Sequence, residues 1–361
     1  MSDPHHPEAP TSGQVDLLRD RLGVEWPHIT VARRESGDLL RNLGTVLHPL
    51  LHPQKDATCV VFGSLARREF TSGSDLDWTL LVDGYAEAEH LGLANRLEGR
   101  LQEAKLRPPT RGGAFGQLTF SHDLIHRIGG DDDTNRNTTQ RLLLLLESAP
   151  VGNTGAYDRV VRQVLTRYVE EDLIGARDTP YGVPRFLLND VVRYWRTMAV
   201  DFAHKRRARS AKGWALRTAK LRMSRKLMYA SGLLSCFSCG FLLPARDTPN
   251  RFASTRDVVD HLLSLVRTTP LDVVAGVMMA YFDELSGPAA RLFAAYDEFL
   301  GLLDDPGRRK RLDELAPGDV DDDLDYRAAR ELGVRFEDAL TEIFFDRDTP
   351  VRELTRRYGL F

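Results

Sequence analysis

The sequence predicts an α+β chain, a small mixed-sheet domain followed by a larger all-helical one. Three features point to it. Short β-branched runs that close in glycine lie only between about residues 57 and 130. Leucines at three- and four-residue spacing flank them on both sides. Beyond Val151 the strand signal nearly disappears. At about 150 residues per domain, 361 residues suit two domains, placed at 14–150 and 151–361.

Residues 1–13, rich in Pro, Ser, His and Gly, read as a loose tail. From Gln14 to about Leu51 the periodicity is helical, and Pro53 ends it. ATCVVFG (57–63) is a strand, SLARREF a short helix and TSGS a turn. DLDWTLLVDG (75–84) is a second strand, and 86–106 an amphipathic helix. Residues 108–116 form a loop. FGQLTFSHDLIHRIGG (115–130) reads as a third strand ending in glycines, with a helix at about 136–148 behind it. Further helices are expected at 155–175, 184–208, 212–233, 253–268, 270–286, 288–303, 325–345 and 349–359.

Composition excludes several classes. Hydrophobic residues make up 42% and charged residues 28%, as in a globular chain. A net charge of −3 sets up no global field for nucleic acid or membrane. The three cysteines, Cys59, Cys236 and Cys239, suit reduced, buried thiols rather than a disulfide framework, and the lone C-x-x-C has no partners for zinc. No N-terminal signal is evident, and no apolar window is long enough to span a bilayer, so a cytoplasmic chain is expected.

The informative segment is FGSLARREFTSGSDLDWTLLV (62–82). Alternate strand residues share a face, so Asp75 and Asp77 point the same way, about 6–7 Å apart at their Cα atoms. Two carboxylates placed so repel unless a cation bridges them, and their hard oxygens suit Mg²⁺ or Mn²⁺. The Gly63-Ser64 turn opens a helix, where backbone N–H groups and a hydroxyl can face an anion. An anion cradle beside a dicarboxylate suits metal-dependent phosphoryl or nucleotidyl transfer.

Gly63-Ser64 followed by Ser74-Asp75-Leu76-Asp77 and an apolar strand resembles the hallmark of the DNA polymerase β nucleotidyltransferase superfamily. The pattern is most similar to the bacterial protein-modifying branch, the PII uridylyltransferase and glutamine synthetase adenylyltransferase type. Weaker similarity, including QRLLLLLESAPV and RYWRTMAVDF, extends to about residue 235. The resemblance implies a nucleotidyltransferase domain closed over by the helical one. It implies transfer of a nucleoside monophosphate from an NTP to an acceptor hydroxyl, with release of pyrophosphate. It also implies a third carboxylate from the next strand, for which Asp123 is the candidate and Asp131, Asp132 or Asp133 the fallback. As strand residues His122 and His126 would be packed or exposed; on a helix they would form an i, i+4 pair able to ligate zinc.

Residues 193–226 carry twelve cations against one acid, Asp201. On an α-helix Arg217, Lys220 and Ser224 fall within a band of about 60°, suited to the β and γ phosphates of an NTP. Arg67 and Ser74 complete the candidate nucleotide contacts, although the sequence does not separate Arg67 from Arg68. Trp195 and Trp214 interleave with the basic residues, as core anchors or as a nucleic-acid footprint. The resemblance to the protein-modifying branch favours a protein acceptor, with RNA the alternative through the basic 193–226 stretch and no membrane partner. Two rival readings are a synthase of cyclic or linear oligonucleotide messengers and a catalytically silent nucleotide or RNA binder. No phosphohydrolase motif or ligand-sensing module accompanies the motif, unlike the uridylyltransferase.

Overall fold

The computed structural model describes residues 13–104, 106–109, 115–173, 182–208, 213–241, 252–316, 318–319 and 322–359. It is mostly helical (71%) with a four-stranded mixed sheet, the α+β class expected. The first part runs α1 (Gln14–Leu22), α2 (Pro27–Leu51), β1 (Ala57–Phe62), α3 (Gly63–Ala66), β2 (Trp78–Val82), α4 (Ala88–Glu103), β3 (Gln117–Phe120), α5 (Ser121–Ile125), α6 (Asn135–Leu146) and β4 (Ser148–Val151). Helices follow: α7 (Gly155–Leu173), α8 (Arg185–Ala208), α9 (Trp214–Lys220), α10 (Lys226–Ser238), α11 (Thr255–Val266), α12 (Pro270–Ala280), α13 (Phe282–Asp304), α14 (Pro306–Glu314), α15 (Leu324–Thr341) and α16 (Pro350–Tyr358). Five-residue π turns join α9 to α10 (Leu221–Arg225) and follow α15 (Glu342–Asp346).

The strands lie in the order β3-β2-β1-β4, with β1 antiparallel to β2 and β4, and β2 parallel to β3. Every residue of β1 and β2 is buried, which explains their continuous apolar sequence. Val60, Phe62 and Leu81 face a core shared with the later helices. Cys59, Val61, Leu80 and Val82 face a second core, filled by Leu43, Leu47 and Leu51 of α2 and Leu93, Leu97 and Leu101 of α4. The N-terminal helices also pack on elements from beyond residue 151. Trp26 stacks on Phe293 at 4.6 Å, and the Ile29 N–H donates to Asp297 Oδ1 at 2.8 Å.

The third strand is shorter than the sequence suggests. It stops at Phe120, and residues 121–125 are helical. The His126 N–H donates to the His122 carbonyl at 3.0 Å, closing a helical turn that packs Leu124 and Ile125 against the core. Asp123 therefore stands on a helix and pairs with Arg127 at 3.0 Å. The helix expected at 212–233 contains the π turn, and Arg209 and Lys212 lie outside the described residues. Pro288 does not break a helix: α13 runs through it, and the chain turns earlier, at Tyr281. Strand β4 and helix α14 have no counterpart in the sequence reading. No single helix among the described residues is long and apolar enough to cross a membrane.

Candidate active site

One end of the sheet gathers the informative residues. Strand β1 delivers Gly63, which sits at φ +66°, where glycine alone is at ease. A Cβ there would stand 3.2 Å from Asp77 Oδ2. The Phe62 N–H donates to the Asp77 carbonyl at 2.9 Å, which fixes the start of β2 against the end of β1. Asp75 is exposed two residues earlier, bridged through the backbone to Arg107, and the Leu76 N–H donates to the Arg107 carbonyl at 2.9 Å. The Ser64 hydroxyl makes no hydrogen bond among the described residues.

The opposite wall is cationic. Lys220 ends α9 and Arg225 ends the π turn. On an α-helix residues five apart diverge by about 140°, whereas i→i+5 closure brings them onto one face. Arg309 of α14 reaches back to the turn before Asp75, donating to Thr71 Oγ1 at 3.0 Å and to the Gly73 carbonyl. A side chain at Gly73 would collide with that guanidinium.

The electrostatics follow from this placement. Burial, then the charges of Glu147 and Asp75, push the Asp77 carboxyl up to about 6, against the pull of Arg225 and Lys220. Burial, then Arg309 and Arg225, push the Lys220 ammonium down to about 8, with Asp75 opposing. The acids crowd one another and so do the cations, so each set would gain from a counter-charge placed between them.

Behind them lies a buried ion-pair network. Glu147, 2% exposed, accepts from Arg225 Nη1 at 2.6 Å and from Arg67 Nη1. Arg67 Nε also donates to Glu69 Oε2 at 2.9 Å. Burial opposes the charge on Glu147, but Arg225 and Arg67 outweigh it and hold its carboxyl below the usual range. Glu147 is thus the carboxylate that acts on Asp77 from behind, and sequence reading passed over it. Its signal was a single acid ending the run RLLLLLE, a buried charge that must find partners.

Asp75, Asp77, Gly63 and Lys220 therefore come together, with Ser64 adjoining. The other candidates do not join them. Asp123 follows β3 whereas Asp77 precedes the parallel β2, so the sheet separates them by about five strand positions, roughly 15 Å or more. Asp133 is tied to buried Arg141 at 2.8 Å, and Asp131 and Asp132 are exposed in the loop before α6. Arg67 turns inward to its two glutamates. Ser74 bonds the Thr71 N–H at 3.2 Å and serves the turn. Ser224 accepts from the Tyr296 hydroxyl at 3.2 Å inside the core. Arg217 flanks Gly213 beside Asp313.

Two further expectations meet the structure here. Because α5 is helical, His122 and His126 do lie together as an i, i+4 pair, their rings tilted with centroids 5.1 Å apart. Among the described residues no three His, Cys, Asp or Glu side chains converge to hold a metal. In the basic stretch Trp195 stacks on Tyr229 at 5.2 Å and Trp214 packs near Tyr326 at 5.5 Å, so both rings are engaged internally. The side chains of Lys205, Arg206 and Arg207 lie outside the described part. The cysteines are free and buried.

A pair of carboxylates is a sufficient protein donor set for Mg²⁺, which keeps several waters and takes the rest of its shell from substrate phosphates. Asp75 and Asp77, close enough for their charges to act on one another at the Gly63 corner, supply that donor set. Compared with known protein families and with curated proteins, the chain matches none of them.

Proposed function

We propose that this chain is a metal-dependent nucleotidyltransferase, moving a nucleoside monophosphate from an NTP to an acceptor hydroxyl and releasing pyrophosphate. The observation that carries the reading is the packing of Gly63 against Asp77, opposite Lys220 and Arg309. Asp75 and Asp77 hold Mg²⁺ or Mn²⁺, which when bound neutralises triphosphate charge and polarises the reacting phosphate. Gly63 leaves room for the Asp77 carboxylate against the turn, and the Ser64 hydroxyl donates to a phosphate oxygen. Lys220 and Arg309 stabilise the negative charge that builds on departing pyrophosphate. Arg225, committed to Glu147, holds the cationic wall in position. Asp123 takes no part, and a protein acceptor is favoured over RNA.

One observation favours a second reading, a catalytically silent nucleotide binder: no third acid joins Asp75 and Asp77 among the described residues. Incubation with each radiolabelled NTP and Mg²⁺ or Mn²⁺, with and without cell lysate, separates them. Label on protein is expected, lost in Asp75→Asn and Asp77→Asn and kept in Asp123→Asn. Soluble oligonucleotides from the protein alone would instead mark a messenger synthase. Tight NTP binding without turnover would mark the silent binder.

A further inference from the structure

A cavity of about 730 Å³, lined by neither Asp75 nor Asp77, lies between α2, the turn after α3, the start of β4 and the α11–α12 corner. Its size falls within the usual range of small-molecule sites, roughly 300–1,000 Å³. Five arginines line it: Arg33, Arg34, Arg41, Arg68 and Arg267. The acids on its wall are already engaged. Asp16 pairs with Arg19, Asp272 with Arg33, and Glu147 with Arg67 and Arg225. Arg41 pairs with exposed Asp38, and Arg267 with Asp158. The guanidinium groups of Arg34 and Arg68 make no ion pair or hydrogen bond among the described residues.

Arg68 is held in a costly state. It is the one non-glycine residue at positive φ among those described, at +58°. Backbone strain of this kind persists where the surroundings enforce it, and it clusters at functional positions. Arg68 is exposed at the cavity wall, where partial desolvation, then the nearby charge of Arg33 and that of Arg41, depress its pKa, with only Asp272 opposing. Like charges gathered around a hollow, two of them without partners, are relieved by an anion of more than one charge. Planar guanidinium forks match phosphate oxygens in pairs.

We propose that this arginine-lined cavity binds a small molecule bearing two or more phosphate groups, at a site separate from Asp75 and Asp77. The inference does not depend on the nucleotidyltransferase reading, because neither metal nor turnover enters it.

The test is calorimetric titration of the full chain in EDTA with tripolyphosphate, with ATP and with inorganic phosphate. Wild type binds tripolyphosphate or ATP without metal. Arg34→Gln, on the exposed face of α2, and Arg68→Asn, which tolerates positive φ, each weaken binding by about tenfold or more. The double variant Asp75→Asn with Asp77→Asn binds as wild type. Tighter binding of ATP than of tripolyphosphate assigns a nucleotide; equal binding assigns the phosphate chain alone. The proposal is overturned if no probe binds at millimolar concentration, if both arginine variants bind as wild type, or if binding is lost in the aspartate variant. Thermal melts of each variant show that the fold is intact.

Discussion

Gly63 and Asp77 occupy each other's space: the carboxylate oxygen Oδ2 lies 3.2 Å from where a methyl on residue 63 would sit. The backbone of Gly63 also sits at φ +66°, a region that costs other residues about 1–2 kcal/mol. Gly63→Ala should therefore lose about that much stability in denaturant unfolding, and NTP turnover with it, because Asp77 must move. Unchanged unfolding and full turnover in this variant would show that the corner is not built as described.

Asp77 works against the fold that holds it. Its carboxyl is raised from 3.8 to about 6 by burial first, then by Glu147 and Asp75. A raised carboxyl means that ionisation is harder in the folded chain than in the unfolded one. The penalty is absent below pH 4, grows between pH 4 and 6, and is complete above. Without metal, Asp77→Asn should be more stable than wild type by about 1–3 kcal/mol at pH 7.5, and no more stable at pH 4. Thermal melts in EDTA across that range decide it, and a variant weaker than wild type at pH 7.5 refutes the electrostatic account.

Glu147 is the opposite case, a buried acid with two arginines and no spare contact with water. Removing it leaves Arg225 without its carboxylate and Arg67 with Glu69 as its one remaining acid. Breaking one side of a buried pair costs about 3–5 kcal/mol, far more than an exposed bridge is worth. Glu147→Ala should lose that much, whereas Glu98→Ala on the outer face of α4 should melt within about 0.5 kcal/mol of wild type. Comparable losses in the two would mean that the network is not the support of the site.

The strand–turn–strand frame around Gly63, Asp75 and Asp77 was legible because it is local: glycine, turn residues and alternation are set within twenty residues. Asp123 was misplaced because the direction of β3 is not written in its own sequence: it pairs parallel to β2 and carries the chain away from Asp77, so residue 123 sits at the far end of the sheet. Ser224 was lost to the π turn, which no α-helical projection anticipates. Glu147 and Arg309 depend on contacts over about 80 and more than 200 residues, since Arg67 meets one and Thr71 the other. The N-terminus of α14 was readable all the same: Asp305 caps Gly307 and Arg308 ahead of Pro306, an Asp-Pro start in the DDPG stretch.

Lys220 offers a test of the site that does not require the acceptor to be known. Burial, then Arg309 and Arg225, lower its ammonium to about 8, so at pH 8.5 the group is mostly neutral in the free protein. A triphosphate placed between Lys220 and Arg309 would favour the charged form and draw a proton from solvent. Binding of NTP with Mg²⁺ at pH 8.5 should therefore take up a large fraction of a proton, giving way at pH 6.5 to a small release, since Lys220 is already charged there and the metal displaces the protons that Asp77 still holds. Calorimetry in buffers of different ionisation enthalpy measures this directly. Lys220→Gln should abolish the uptake and weaken binding about tenfold, as expected for loss of one charge-assisted contact. Equal uptake in the variant would place the phosphates elsewhere.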